Sequence, residues 1–275
     1  MENLTQITPD IHRLVIPFLD IYTTVFFLRT PGGWILMDTA TYPTDMDQYI
    51  FPAMEALGIT AQSLHAVVIS HAHRDHAGGL GRLLEVYPSI TVLSRSEALR
   101  EQHAQAFFRT PTDGDTLADV LRIVTIPGHA PDALGIYDTR TNTLLSGDGL
   151  QAYGIYGSGK WGANISRPAD HMAALDKLRR MQIDTLIAAH DYHPVGHEAH
   201  GAEAVARYID ACGEALAFIR RFILDHPNME DEALAALYNA ETKLPTLGAH
   251  VVKGVRGCAG ETFPKKFPRD PFQNF

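Results

Sequence analysis

The 275-residue sequence is poor in cysteine, with only Cys212 and Cys258. Two cysteines do not make a disulfide framework, and no CxxC pair is present to suggest a zinc ribbon or a redox dithiol. Long apolar runs are also missing: none approaches the roughly 20 residues that span a bilayer. Residues 1–10 lack the basic-then-apolar order of a secretory signal, so the cytoplasm is the expected compartment. Basic charge is scarce, with 23 Lys and Arg against 32 Asp and Glu and a formal net charge of −9. Nucleic acids and anionic membrane surfaces both select for surplus cations, so neither is an expected partner. A chain that is 45% hydrophobic and 20% charged is not disordered.

Histidine, by contrast, is plentiful, at 14 residues. It is the commonest metal ligand, so its placement along the chain matters. Branched and aromatic residues predict strands over 11–16, 23–28 and 34–37, the last two joined by a Pro31-Gly32-Gly33 turn. Helical spacing predicts a helix over 45–57. Strands over 65–69, 91–93, 121–126, 134–137, 143–145 and 185–189 then alternate with helices over 80–86, 96–103 and 167–180. That order predicts a mixed α/β domain. Two further helices follow over 202–224 and 231–238, and 255–275 reads as an extended arm or tail.

The apolar strand 65–69 runs directly into Ser70-His71-Ala72-His73-Arg74-Asp75-His76-Ala77-Gly78-Gly79. Four potential metal ligands thus fall within six residues past the end of a buried strand, where α/β proteins place binding groups. His71 and His73 can point the same way on extended backbone, and Asp75 and His76 can face a second metal after a turn. A solvated surface cluster would have no reason to follow a buried strand.

This segment resembles the HxHxDH motif of the metallo-β-lactamase superfamily. The resemblance continues in order over residues 8–198: Ile35-Leu36-Met37-Asp38-Thr39, then Ile126-Pro127-Gly128-His129 with Asp132 and Gly135, then Ser146-Gly147-Asp148, then Leu186-Ile187-Ala188-Ala189-His190. It implies a four-layer αβ/βα sandwich with extra C-terminal helices. Residues 1–200 would form the catalytic domain, and 201–275 a helical extension and tail packed on it.

The resemblance also implies roles. His71, His73 and His129 would hold one metal, and Asp75, His76 and His190 a second. Asp148 would bridge them, Asp38 would orient from behind, and Asp75 is also taken as the catalytic carboxylate. Imidazole and carboxylate ligands suit zinc, with iron or manganese as alternatives. Two such metals can generate a shared hydroxide at neutral pH that attacks an electrophilic carbonyl. Many members carry Pro-Gly-His-Gly at the last histidine. Here the stretch is Ala189-His190-Asp191-Tyr192-His193-Pro194, so His193 competes with His190. His190 directly follows the strand and is preferred, with His193 lining the pocket.

The loop 150–165 follows Asp148 and should overhang the metals. It carries Tyr153, Tyr156, Lys160 and Trp161 among four glycines. A tyrosine there can hydrogen-bond a substrate carbonyl, and Lys160 can meet a carboxylate. Similar lactonases place a tyrosine about three residues past the bridging Asp, where this chain has Gln151. The C-terminal helices loosely resemble those that glyoxalase II-type thioesterases use for glutathione, and Lys253, Arg256, Lys265 and Arg269 make the tail basic. His12, His65, His103, His171, His197, His200, His226 and His250 lack partners at metal spacing and read as surface or packing residues. The expected function is dinuclear hydrolysis of a carboxylic ester, thioester or lactone in a small-molecule substrate, with a homodimer as a candidate assembly. A mononuclear-iron sulfur dioxygenase and a phosphodiesterase of the same fold are the alternatives.

Overall fold

The computed structural model describes residues 3–156 and 160–258. Among these, a first sheet takes β1 (Leu4–Thr8), β2 (Ile11–Phe18), β3 (Ile21–Thr30), β4 (Gly33–Met37), β5 (Leu64–Val68), β6 (Thr91–Leu93) and β7 (Phe107–Arg109), in that spatial order. It is antiparallel through β4 and parallel from β4 to β7. A second sheet takes β8 (Thr116–Leu117), β9 (Leu121–Thr125), β10 (Leu134–Asp138), β11 (Thr143–Gly147), β12 (Thr185–Tyr192) and β13 (Gly196–His200). Only β11 and β12 pair in parallel there.

Successive side chains of a strand point to opposite faces, and that alternation builds the layers. Phe26, Leu28, Met37 and Val68 of the first sheet meet Ile123, Ile136, Leu145 and Ile187 of the second in a central core. On the outer face of the first sheet, Val25, Phe27 and Val67 pack with α1 (Pro43–Asp45), α2 (Phe51–Ala56), α3 (Arg74–Ala77), α4 (Leu80–Val86) and α5 (Glu97–Gln102) or the turns between them. On the outer face of the second, Leu144, Leu186 and Ala188 pack with α6 (Pro168–Leu178), α7 (Ala202–Leu224), α8 (Asp231–Thr242) and α9 (Ala249–Gly257). The result is the four-layer sandwich with extra C-terminal helices. Helix α7 is part of that core because Val205, Ile209, Cys212, Leu216, Ile219 and Ile223 recur on one face at helical spacing.

One expectation is refined and one corrected. The helix expected over 45–57 is a continuous helical run over 43–56, in which α1 and α2 are joined by a wider helical turn, Met46–Ile50, where the Phe51 N–H reaches the Met46 carbonyl. Pro52 cannot donate to residue 48 and its ring needs room at that carbonyl, which the wider turn supplies. The start of the arm expected over 255–275 is helical instead, because Val251, Val252 and Val255 form the buried face of α9; residues 259–275 lie outside the described residues. Arg256 there pairs with Asp231 at 2.8 Å. Lys265 and Arg269 lie outside the described residues. Strands β1, β7, β8 and β13 carry weak apolar alternation and were not expected. Among the described residues no helix is long and apolar enough to cross a membrane.

Candidate metal centre

Four connections at one end of the sandwich supply the site. The chain leaving β4 bends sharply, with Asp38 at φ 68° and Ala40 at φ 56°, values uncommon for residues other than glycine. The bend turns the Asp38 carboxylate under the next strand end. It accepts the Ser70 N–H at 2.7 Å, the Ser70 hydroxyl at 2.8 Å and His76 Nδ1–H at 2.8 Å. Residues 70–76 follow β5, and Ala72 N–H donates to Asp132 in the turn that carries His129, at 2.9 Å. Gly147 ends β11 at φ 53°, where a Cβ would stand 3.0 Å from that of Ser70, so glycine lets Asp148 approach the motif. His190 lies near the end of β12.

Two groups of side chains converge there. His71, His73 and His129 form one, and Asp75, His76, Asp148 and His190 the other, each with its offered ligand atoms within 4.8 Å of one another. His129 Nε2 lies 2.8 Å from His73 Nδ1. Asp148 stands between the groups: its Oδ1 is 3.4 Å from His76 Nε2 and 3.3 Å from His190 Nε2, while its Oδ2 is 3.5 Å from His129 Nε2. Asp75 Oδ2 is 3.2 Å from His190 Nε2. All seven residues singled out as ligands are therefore in one place. His193 belongs to neither group; its ring packs on Tyr156 and Tyr153 at 4.9 and 6.2 Å.

The donor set fits divalent cations. The second ring nitrogens are tied down from behind: His190 Nδ1–H donates to the Tyr22 carbonyl at 2.6 Å and His129 Nδ1–H to the Asn164 carbonyl at 2.9 Å. Carbonyls only accept, so these rings present bare Nε2 atoms when neutral. His71 Nε2, His76 Nε2 and Asp148 Oδ1 are buried without a hydrogen-bond partner among the described residues. Such atoms are costly unless something binds them.

The electrostatics agree. Burial, with His76 and His129 adding to it, holds His71 well below the usual histidine range. Burial also lowers His129, to about 4. Burial works against charge on His190 too, but Asp148 and Asp75 outweigh it and raise His190 to about 10. His76 is likewise raised well above its usual value, against its burial, by Asp148, Asp75 and Asp38. The same attraction from His190 and His76 overcomes burial and keeps Asp148 well below the carboxylate range. The Asp75–Asp148 half of the site thus calls for positive charge at the histidine nitrogens.

The groups open into a cleft of about 270 Å³. Phe18 and Ile21, from the β2–β3 hairpin, and Ile155 and Trp161 form its apolar walls, and Arg74, Gln151, Asn164 and Tyr192 add polar edges. Trp161 Nε1–H donates to Asp20 at the hairpin tip at 3.0 Å, and its ring lies 5.9 Å from that of Phe18. The loop after Asp148 does border the cleft, but through residues other than those expected. Tyr153, Tyr156, Lys160 and His193 are not among the described residues lining it. Tyr153 is turned inward against Phe218, with ring centroids 5.9 Å apart. Tyr156 is 43% exposed, and Lys160 lies 3.7 Å from Asp20 on the outside. Phe18, Ile21 and Tyr192 were missed. The Phe18-Leu19-Asp20-Ile21 turn lacks the glycine or asparagine that marks a tight hairpin, and Tyr192 lies past the apolar run 185–189, where no periodicity marks its direction.

Residues 20–190 match the family model of the metallo-beta-lactamase superfamily. The hydroxyacylglutathione hydrolase of Gloeobacter violaceus is 32% identical over 147 residues, covering 51% of this chain and 55% of that protein. The hydroxyacylglutathione hydrolase of Bartonella quintana is 26% identical over 187 residues, covering 68% of this chain and 66% of that protein. The chain spans little more than half the length of several curated relatives, including 57% of an uncharacterized protein of Bacillus subtilis. Among solved structures, a metallo-beta-lactamase family protein from Thermus thermophilus superposes with a TM-score of 0.64 at 20% identity, covering 90% of this chain and 94% of that one. The flavodiiron protein of Giardia intestinalis gives a TM-score of 0.59 at 19% identity over 77% of this chain and 59% of that one. These structures share the fold. With the family match covering well over half of its length and running from the cleft hairpin to His190, the chain belongs to the metallo-beta-lactamase superfamily.

Proposed function

We propose that this chain is a metal-dependent hydrolase that cleaves a carboxylic ester, thioester or lactone at a dinuclear centre. The observation that carries this reading is the placement of Asp148, whose two oxygens face different histidine groups at 3.3–3.5 Å. A carboxylate divided in this way suits two cations side by side. His71, His73 and His129 would hold one ion and Asp75, His76 and His190 the other, with Asp148 shared. Zinc fits the nitrogen and oxygen donors, as do iron and manganese. Such ions, when bound, polarise a carbonyl and make water acidic enough to attack it near neutral pH.

The remaining work falls to the chain itself. Burial opposes charge on Asp75, but His76 and His190 outweigh it and keep this carboxylate ionised. Asp75 lines the cleft, so it can accept a hydrogen bond from the attacking water and orient it. Phe18, Ile21, Ile155 and Trp161 shield the reacting carbonyl from bulk solvent and receive the apolar part of a small-molecule substrate. Water adds to the carbonyl carbon, the C–O or C–S bond breaks, and the leaving group departs as an alcohol or thiol. The hydroxyacylglutathione hydrolases among the relatives make thioesters the first class to try.

The test is a panel of acyl thioesters, aryl esters, lactones and a phosphodiester, assayed with and without chelator. Chelator-sensitive turnover of a carbonyl substrate is expected. Turnover of the phosphodiester alone, or oxygen consumption with a persulfide and no hydrolysis, would contradict the proposal.

A further inference from the structure

Beside the metal cleft lies a second depression of about 430 Å³, whose lining includes Thr41, Arg74, Gly78, Gln102 and His103. Arg74 lines both spaces and so forms the partition between them. It sits between the candidate ligands His73 and Asp75. Its guanidinium stacks over the Tyr42 ring, 4.6 Å from the centroid, and it has no carboxylate partner among the described residues. Stacking of this kind fixes the guanidinium plane and leaves its edge free to donate.

Among the described residues no Asp or Glu is part of the lining, although the chain carries 32 of them and a net charge of −9. Gln102 adds an amide donor. His103, lowered by burial, is neutral near pH 7 and adds a ring N–H without a second charge. The floor is close-packed: a Cβ on Gly78 would stand 1.9 Å from the Thr41 carbonyl oxygen.

One cation, two neutral donors and no acid match a single planar anion. A phosphate group would call for more positive charge. We infer that the depression is a second binding site, for a free carboxylate borne by the substrate, with Arg74 as the residue that selects for it. The scissile carbonyl lies in the metal cleft while the carboxylate reaches Arg74, which lines both spaces. This deepens the proposed hydrolase reading and rests on it for the identity of the reacting bond. The carboxylate site itself rests on Arg74, Gln102 and His103.

The experiment uses the metal-loaded chain and three thioesters: pentanoyl and glutaryl thioesters of one neutral thiol, and the pentanoyl thioester of mercaptopropionate. Glutarate binding is measured in parallel by calorimetry. The variants are Arg74→Met, Arg74→Lys and Gln102→Glu. The last lies away from the candidate ligands and places a carboxylate opposite the anion. Metal content and melting temperature are checked for each.

The wild type is expected to prefer a carboxylate-bearing thioester. Arg74→Met and Gln102→Glu should each cut that preference, expressed as a ratio of kcat/KM, by about tenfold, roughly the value of one charge-assisted hydrogen bond. Arg74→Lys should recover part of it. Glutarate affinity should fall in step. If the wild type hydrolyses no thioester but binds glutarate, and both variants weaken that binding, the hydrolase reading fails and the carboxylate site stands. If the ratio and the glutarate affinity are unchanged in both variants, including the case of glutarate held by the metals alone, the carboxylate site is overturned.

Discussion

Asp38 lines no part of the metal cleft, yet three hydrogen bonds converge on it from Ser70 and His76. It is 1% exposed and holds His76 Nδ1–H, which leaves Nε2 facing Asp75 and Asp148. In Asp38→Asn one carboxylate oxygen becomes an amide nitrogen, and Ser70 and His76 then compete for a single acceptor. The expected loss is about 10- to 100-fold in metal affinity or activity, read by metal titration and by turnover at saturating metal. Unchanged affinity and turnover would show that His76 needs no support from behind. His190 carries a pH dependence. Without metal, Asp148 and Asp75 hold its proton up to about 10. A histidine raised in the folded state stabilises fully below its unfolded value of about 6.5, and that stability is lost as pH rises through about 10. Metal replaces the proton, so binding releases protons and tightens with pH. The rise in melting temperature on adding zinc should therefore grow from pH 6.5 towards 9. A rise that shrinks over that range would contradict this reading of His190.

At the scale of elements, the buried strands and their endings were the most legible part. The strand 65–69 was readable because apolar residues run unbroken into a ligand cluster, and it corresponds to β5, Leu64–Val68. Asp38 and Asp148 each follow a strand, His129 sits in a turn, and His190, expected just past its strand, lies near the end of β12; strand order brings all four to one end. The ordered motif set could therefore be read from the sequence alone. The cleft walls could not. Phe18 and Ile21 are ordinary strand residues in sequence, and their place depends on the register of β2 with β3, in which Phe18 pairs with Ile21. Tyr153 and Tyr156 looked suited to a carbonyl, but side-chain direction in an irregular loop has no periodicity to betray it. Packing on Phe218 in α7 decided the case of Tyr153. The wide turn at Met46–Ile50 and helix α9 escaped for similar reasons, since each depends on local backbone fit or on a partner distant in sequence.

The described residues form two sheets packed face to face, with helices on both outer faces, and the candidate ligands at one open end where strands from both sheets finish. Neither sheet alone supplies the site: His71, His73, Asp75 and His76 follow the first, while His129, Asp148 and His190 belong to the second. The central core of Phe26, Leu28, Ile123, Ile136 and their neighbours fixes the distance between the halves, and Asp148 spans what remains. A net charge of −9 gives the chain little general affinity for anions, so a carboxylate-bearing substrate must be caught by a local cation, the role assigned to Arg74. All of this rests on two ions being held together. Metal content per chain, measured by elemental mass spectrometry on tag-free protein purified without chelator and after reconstitution, tests it most directly. Two divalent ions per chain is the expected result; one ion, or none, would contradict a dinuclear centre.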